Sequence, residues 1–292
     1  MTVAPDKRFR AALVQLRSGR GVDANLQSAE TLIRRAAKAG AVYVQTPENT
    51  AIMELRPERL LEAAETEETS VPLARFRALA AELRIFLHIG SLAIKLDQTR
   101  IANRSYLIEP DGGVAARYDK LHLFDVDLAG GESYRESQNV RPGTGAVLAD
   151  LPFGRLGLSI CYDLRFPQLY RALAIAGAEF IAVPAAFTRQ TGEAHWHVLI
   201  RARAIETGAF VLAATQGGLH ENGRATFGHS LIVSPWGEVL AECGEAPGII
   251  FADLDLAASA EARARIPALK HGRDFEVEIA RCRTREVRRE AS

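Results

Sequence analysis

The chain has 292 residues, of which 48% are apolar, and its 36 lysine and arginine residues balance 36 aspartate and glutamate residues. A chain of this length can bury a large core without help from metals or disulfides. The balanced charge gives no net field toward nucleic acid or a membrane surface, so we expect neither as a partner and predict a small-molecule ligand instead.

The cysteines and the apolar runs indicate the compartment. Only Cys161, Cys243 and Cys282 occur, without a CxxC pair, which argues against a disulfide framework or a zinc knuckle and favours a reducing compartment. No apolar run approaches the roughly 20 residues that span a bilayer. The start of the chain, MTVAPDKRFRAALVQL, lacks the layout of a signal peptide, and we predict a cytoplasmic location.

The first part of the chain alternates between strand and helix patterns. Apolar runs that end in turn residues predict strands, and apolar residues at helical spacing predict helices between them. The expected order is β-α-β-α-β, with strands at about 8–16, 41–47 and 85–95 and helices at about 24–39 and 71–83.

A hairpin and a long loop follow. Strand-like runs flank Pro110-Asp111-Gly112-Gly113, whose proline and glycines suit a tight turn, and the second run ends at Lys120. From 121 to 155 the apolar periodicity is lost, which predicts a long loop of the kind that often carries function.

The same order then recurs, and the repetition predicts the fold. We expect a strand at 156–161, a helix at 166–177, a strand at 179–184, a helix at 194–207, a strand at 210–215 and a hairpin around Pro235-Trp236-Gly237. Two similar halves with hairpins predict an α/β protein: a four-layer α-β-β-α sandwich, with two sheets face to face and helices outside.

The charge pattern divides the chain into a domain and a tail. We assign residues 1–275 to a single domain. Residues 276–292 are rich in arginine and glutamate and lack a core-forming pattern, so we expect a solvated helix or an arm on a neighbouring subunit, in part disordered.

Cys161 is a candidate nucleophile because of where it stands. The segment GRLGLSICYDLRFPQLYRALAIAGA passes from a buried-looking strand through Cys161 into an amphipathic helix. This setting resembles a nucleophile elbow, in which the next backbone N–H, that of Tyr162, is free to bind an oxyanion. A free cysteine is more often a buried core residue than a nucleophile, so the assignment needs partners.

Three charged residues could serve as those partners. A thiol with a pKa near 8.5 needs a base to take its proton and a cation to hold the thiolate. Glu48 ends the strand-like AVYVQTPE, and Lys120 ends the hairpin beside apolar neighbours. Each could also be an ordinary surface charge, and spacing does not separate Glu136, in YRESQNVRPG, from the nearby Glu132.

Histidines offer a rival arrangement. His195 and His197 flank Trp196, and a Cys-His pair is the commoner arrangement for a catalytic thiol. In a helix, residues two apart point about 200° apart, so these two histidines cannot chelate one metal ion from one face. We predict no metal site. Because no nucleotide-binding loop or dinucleotide fingerprint occurs, we also predict no cofactor.

Three blocks of sequence carry a family resemblance: PEN at 47–49, YDKLHLFDVD at 118–127 and CYDLRFPQLYRALA at 161–174. They are similar to motifs of the nitrilase superfamily of carbon-nitrogen hydrolases, and the similarity extends from about residue 8 to about residue 273. The blocks look closest to the branch that holds deaminated glutathione amidase and the ω-amidase acting on α-ketoglutaramate. The TGEAHW segment and the strand end at Gln216 favour the former.

The resemblance implies roles for the candidate residues. Glu48 becomes the general base, Lys120 the cationic stabiliser and Cys161 the nucleophile. Glu136 matches the family's second glutamate, and the Tyr162 N–H remains the oxyanion donor.

The resemblance also implies an acyl pocket. In the family, this pocket is lined or supported by stretches that here contain Arg165, Phe187, Thr188 and His195. Gly208 and Gly217-Gly218 depart from the family pattern and leave the substrate open. The resemblance also implies a homodimer or a larger homo-oligomer.

The implied reaction is hydrolysis of a small carboxylate-bearing amide to an acid and ammonia through a thioester on Cys161. It requires Glu48 to have a pKa raised above about 4.3. The same site would permit hydrolysis of a nitrile or an N-carbamoyl amino acid, or acyl transfer to an amine. A non-catalytic scaffold is the alternative from another class, and the intact triad argues against it.

Overall fold

The computed structural model describes residues 7–128 and 131–280. Its strands form two six-stranded sheets and two short hairpins, and we number them in chain order. The first sheet contains β1 Arg8–Gln15, β2 Tyr43–Gln45, β3 Phe86–Lys95, β4 Ile101–Ile108, β5 Val114–Asp119 and β16 Gly248–Asp255. The second contains β8 Leu148–Leu151, β9 Gly154–Leu158, β10 Phe180–Ala182, β11 Phe210–Ala213, β14 Leu231–Val233 and β15 Val239–Glu242.

The short hairpins and the helices complete the described chain. The hairpins are β6 Asp125–Asp127 with β7 Ser133–Arg135, and β12 Gly217–Leu219 with β13 Ala225–Phe227. The helices are α1 Val22–Lys38, α2 Pro57–Ala63, α3 Val71–Leu83, α4 Pro167–Ile175, α5 Arg189–Thr207 and α6 Ala257–Arg265. No helix in the described ranges combines the length and the apolar character that crossing a bilayer requires.

The strand orders match the two predicted halves. The first sheet runs β16-β1-β2-β3-β4-β5 and the second runs β15-β14-β11-β10-β9-β8. In each sheet the three central strands are parallel, β1-β2-β3 and β9-β10-β11, and antiparallel strands flank them. Glu48 follows β2 and Cys161 follows β9, at the carboxyl ends of these parallel strands, whereas Lys120 follows the antiparallel strand β5.

Strand β1 shows how the layers pack. Ala11 and Leu13 belong to the core between the two sheets, whereas Ala12 and Val14 belong to the core beneath α1 and α3. Side chains alternate across a strand, so the apolar stretch 11–14 of β1 contributes to both cores. The predicted four-layer α-β-β-α sandwich is therefore confirmed.

Some boundaries differ from the prediction. The stretch at 121–155, expected to be a loop, contains β6, β7 and β8, and β9 begins at Gly154. These strands are three to five residues long, too short to produce a visible period in the sequence. Helix α5 begins at Arg189 rather than 194.

The tail remains largely a prediction. Residues 276–280 are exposed and lie in neither a helix nor a strand. Residues 281–292, with Cys282, lie outside the described residues. The boundary at 275 stays a prediction.

Candidate active site

Cys161 lies at the predicted strand-to-helix turn. Residues Cys161–Arg165 form a 3-10 helix between β9 and α4, and Cys161 has a left-handed backbone with φ 48°. A positive φ is uncommon at a residue other than glycine, and backbone strain of this kind often occurs at functional sites. The Cys161 N–H donates to the Pro184 carbonyl at 2.9 Å. Tyr162 follows in the first turn of this helix, where backbone N–H groups lack partners inside the helix.

A buried carboxylate holds this turn in place. Asp163 accepts the backbone N–H of Ile160 at 2.8 Å and the Tyr118 hydroxyl at 2.7 Å. It also accepts the His122 N–H at 3.0 Å. Because Tyr118 lies in the first sheet and Asp163 follows the second, these hydrogen bonds fix the turn relative to both sheets.

Glu48 follows β2 and contacts the second sheet across the sandwich. Its Oε1 accepts Lys120 Nζ at 2.8 Å and Asn103 Nδ2 at 2.9 Å, and its Oε2 accepts the Ala186 N–H at 2.9 Å. The next residue, Asn49, is also left-handed, with φ 57°. Three donors therefore hold both carboxylate oxygens in one orientation.

Lys120 joins the two glutamates. Its side chain is 2% exposed, and its ammonium group donates to Glu48 at 2.8 Å and to the two oxygens of Glu136 at 2.8 Å and 3.1 Å. The Phe124 N–H also donates to Glu136 at 2.7 Å, so the loop after β5 folds back on this carboxylate. Glu136 is thus distinguished from the exposed Glu132 by tertiary contacts alone.

The charges fix the resting protonation states. Burial raises the pKa of Glu48, but the charge and hydrogen bond of Lys120 outweigh it and leave that pKa below its usual value. Burial lowers the pKa of Lys120, but the charges of Glu136 and Glu48 raise it above its usual range. Burial and the charge of Glu48 both raise the pKa of the Cys161 thiol. The resting site therefore holds a carboxylate base beside a neutral thiol.

One sequence prediction about this site is wrong. We expected a raised pKa for Glu48, and the structure lowers it. Desolvation is the largest single influence and raises this pKa, but the charge and hydrogen bond of Lys120, the hydrogen bond of Cys161 and the charge of Arg224 together outweigh it. The resting Glu48 is therefore ready to accept a proton.

These groups line a cavity of about 370 Å³. This volume is in the range of pockets for small molecules. The sequence-predicted residues that line it are Glu48, Lys120, Glu136, Cys161, Tyr162, Phe187 and Thr188.

Arg165 and His195 are not among the lining residues. Arg165 lies 5.2 Å from the centre of the Phe187 ring and 3.4 Å from His195 Nδ1. Arg165 therefore packs against a residue of the cavity wall, and His195 contacts Arg165. His195 is also exposed, and the Cys-His alternative finds no histidine among the lining residues.

Sequence reasoning missed two groups that hold the carboxylates. Asn103 in β4 donates to Glu48 and, at 3.0 Å, to Glu136 Oε1, and the Ala186 N–H donates to Glu48. Asn103 begins the run NRSYLIEP, and a polar residue at a buried strand position is a signal that could have been used. A backbone N–H leaves no signal in the sequence.

His197 has different partners from the one considered in the sequence analysis. His197 does not meet His195, in agreement with the helical argument, but Glu242 Oε1 lies 2.9 Å from His197 Nε2 and 2.8 Å from His229 Nδ1. These ligand atoms lie within 4.8 Å of one another, a spacing that a metal ion could bridge. None of the three residues lines the cavity. The prediction of no metal site overlooked this trio because it joins three elements.

Two of the glycines that differ from the family pattern adopt left-handed backbone conformations. Gly208 ends α5 in the left-handed conformation with φ 58°, and Gly218 has φ 89°. Glycine adopts both without strain. Neither lines the cavity, so neither bears directly on the substrate.

The chain is similar to known proteins over most of its length. Residues 10–264 match the model of the family described as carbon-nitrogen hydrolase. A relative from Synechocystis sp., named deaminated glutathione amidase, is 40% identical over 267 residues, which cover 91% of this chain and 98% of that protein.

Solved structures agree with this similarity. The crystal structure of the C. elegans NitFhit protein has a TM-score of 0.84 and 37% identity, covering 91% of this chain and 65% of that one. A mutant amidase from Nesterenkonia sp. AN1, with the acetamide moiety of fluoroacetamide attached covalently to its active site cysteine, has a TM-score of 0.76 and 27% identity. That alignment covers 91% of this chain and 98% of the amidase.

Proposed function

This chain belongs to the carbon-nitrogen hydrolase family and acts as an amidase, and on that premise we propose that Cys161, Glu48 and Lys120 carry its reaction. The predicted membership of the nitrilase superfamily is confirmed. The proposal for the three residues rests on one observation: the Cys161 thiol, the Glu48 carboxylate and the buried Lys120 ammonium group, which binds Glu48 at 2.8 Å, all line one cavity.

The first half of the reaction forms a thioester. Glu48 accepts the Cys161 proton while the sulfur attacks the amide carbonyl, and Lys120 and the Tyr162 N–H hold the developing oxyanion. A preformed thiolate would face two carboxylates with one ammonium group between them, so proton transfer during attack is the less costly course. Glu48 then donates the proton to the leaving nitrogen as the carbon–nitrogen bond breaks.

The second half hydrolyses the thioester. Glu48, again ionised, accepts a proton from a water molecule that attacks the thioester carbonyl, and the thiol regains a proton as the acid leaves. Glu136 keeps Lys120 in place throughout, because it holds the ammonium group with both oxygens. The leaving group is ammonia from a primary amide and an amine from a substituted one.

We propose deaminated glutathione as the substrate, because the Synechocystis relative carries the name deaminated glutathione amidase and is similar over nearly its whole length. Glutathione is a tripeptide with carboxylates at both ends, and its deaminated form is a small carboxylate-bearing amide. Clearing such a modified metabolite would be a repair activity.

The test is hydrolysis of a panel by the purified protein: deaminated glutathione, α-ketoglutaramate, glutamine, an N-carbamoyl amino acid and a simple nitrile. Released ammonia and released amine are both recorded, and Cys161→Ala and Cys161→Ser serve as controls. We expect turnover of deaminated glutathione to exceed the others and to vanish in both variants, which should stay folded. Preference for α-ketoglutaramate would move the assignment to ω-amidase, and wild-type turnover in either variant would reject Cys161 as nucleophile.

We also propose a homodimer that forms through the helices of the second half. Large apolar side chains are exposed there: Ile175 at 62%, Val198 at 69% and Ile205 at 56%. Val198 and Ile205 are seven residues apart and so lie on one face of α5, and an apolar patch exposed on a protein surface typically marks an interface. A single species of monomer mass in analytical ultracentrifugation at micromolar concentration would contradict this.

A cytoplasmic location is proposed from the same chemistry. Cys161 must remain a free thiol, and Cys161 and Cys243 are both unpaired among the described residues. Reducing compartments preserve such thiols. Fractionation of cells that produce the protein would reveal any other location.

A further inference from the structure

Most charged side chains that line the cavity already have a charged partner. Lys120 binds both Glu48 and Glu136. Arg135 pairs with Asp127 through two hydrogen bonds of 2.8 Å and 2.9 Å. Arg224 is different: it lines the cavity, and no carboxylate of residues 7–128 or 131–280 forms an ion pair with it.

The backbone of Arg224 is held firmly. Arg224 lies just before β13, in a turn closed by hydrogen bonds from its N–H to Asn222 Oδ1 and from the His220 N–H to its carbonyl, both 2.9 Å. Strand β13 is fixed to the cavity wall because the Phe227 N–H donates to the Phe187 carbonyl at 2.9 Å. The hairpin therefore presents Arg224 from a defined position.

The guanidinium group is also oriented, but its hydrogen-bonding capacity is not used up. One terminal nitrogen donates to the Ala186 carbonyl, and the group lies 5.0 Å from the centre of the Tyr134 ring. Its Nε is buried without an acceptor. A guanidinium has five N–H donors in a planar fork that suits a carboxylate.

A second donor, on another residue that lines the cavity, also lacks an acceptor. The Asn139 side-chain nitrogen is buried without a partner, and Asn139, which is 8% exposed, lines the same cavity. Buried donors in proteins nearly always have acceptors. Two unsatisfied donors from residues that line one cavity point to an acceptor that enters with the ligand.

We propose that Arg224 binds the carboxylate of the substrate that is remote from the scissile amide, and so selects ω-amides of dicarboxylic acids over neutral amides. This inference rests on the proposed amidase function. Arg224 binds the carbonyl of Ala186, whose N–H binds the Glu48 carboxylate. The backbone of Ala186 therefore binds both Arg224 and the proposed base, Glu48.

The test compares two amides of equal chain length, glutaramate and pentanamide, in the wild type, Arg224→Met and Arg224→Lys. The measured quantity is the ratio of kcat/KM for glutaramate to kcat/KM for pentanamide. A hydrogen-bonded charge pair of this kind corresponds to a change of about 10- to 100-fold. We expect Arg224→Met to lower the ratio by that factor, mainly through KM for glutaramate, and Arg224→Lys to fall between.

Arg135→Met is the matched control, since Arg135 lines the same cavity but is already paired with Asp127. We expect it to change the ratio by less than about threefold, given the small energies of exposed ion pairs. An unchanged ratio in Arg224→Met, or an equal fall in Arg135→Met, overturns the inference while the amidase function stands. A wild type that hydrolyses no amide at all overturns both.

A second measurement covers the case in which Arg224→Met does not fold. Glutarate and pentanoate are then compared as competitive inhibitors of the wild type. Glutarate carries a second carboxylate for Arg224, so its inhibition constant should be at least about tenfold lower than that of pentanoate. Equal inhibition by the two acids overturns the inference.

Discussion

Two clusters of three titratable side chains differ in a way that separates a candidate active site from a surface network. In the first, Lys120 bridges Glu48 and Glu136, and in the second Glu242 bridges His197 and His229. The principal contacts in both are 2.8 to 2.9 Å. Lys120 and Glu48 are 2% and 4% exposed, however, whereas the three members of the second cluster are 29% to 37% exposed.

The difference shows that spacing alone does not identify a site. In the buried cluster little water is present to screen the charges, so each group sets the protonation state of its neighbours. In the second cluster, water can replace a lost partner, and such contacts contribute little. Only the first cluster lines the cavity and includes a nucleophile among its neighbours.

The largest expected effect comes from removing the cation of the buried cluster. Lys120→Ala takes away an oxyanion partner, which typically costs about 100- to 1000-fold in rate. It also leaves two neighbouring carboxylates without their ammonium partner, and breaking a buried pair typically costs about 3 to 5 kcal/mol of stability. We expect kcat to fall by at least 100-fold and Tm to fall with it, measured by steady-state kinetics and thermal unfolding.

Lys120→Arg provides the control for that experiment. It keeps the charge but cannot reproduce the geometry of the ammonium contacts, so we expect a folded protein with kcat lowered by at least about tenfold. Near-wild-type kcat in Lys120→Ala would show that Lys120 only stabilises the fold.

An intermediate effect is expected from pH. Because the pKa of Glu48 lies below its usual value of 4.5, this base stays ionised as pH falls until that lowered pKa is reached. The acid limb of kcat/KM should therefore lie below pH 4.5, and not near pH 6.5, where a histidine base would titrate. A limb near pH 6.5 that disappears in His195→Ala with His197→Ala would favour the Cys-His alternative.

The free energy of unfolding should also decrease as pH falls, because the pKa of Glu48 is lower in the folded protein. A carboxyl group whose pKa is lower in the folded protein contributes stability above its unfolded pKa, and that contribution is lost as pH falls through the folded value. The Glu48 contribution is therefore present at neutral pH and lost below about pH 4.5. Thermal unfolding between pH 3 and pH 7 measures it.

The smallest effect is expected from the exposed cluster. His197→Gln with His229→Gln should change kcat by less than about threefold, because neither residue lines the cavity and both contacts are partly exposed. A chelator should leave activity unchanged, in keeping with the prediction of no metal. If the chelator abolishes activity, and added Zn²⁺ restores it in the wild type but not in the double variant, these three residues bind a metal ion that activity requires.

Predictions from sequence succeeded where a signal was local or repeated. Strand β1 and helices α1 and α3 follow clear apolar periods, and the prediction of a helix at 71–83 matches the bounds of α3. Helix α2 was not predicted, because it buries no residue and so carries no apolar period. The elbow at Cys161 was visible because a buried run meets a helix pattern there. The fold class followed from the repetition of these patterns, because each apolar face must find another to cover it.

The sequence by itself determined the family, the layer architecture and the identity of Glu48, Lys120 and Cys161 as candidates, because motifs and periodicity are properties of neighbouring residues. Only the tertiary structure decided the lowered pKa of Glu48, the hydrogen bonds of Asn103 and Ala186, and the position of Arg224 on the cavity wall. Asn103 lies 55 residues from Glu48 in the chain and Ala186 lies 138 residues away. Charge coupling and burial depend on such distant groups meeting in space, and no local pattern records that meeting.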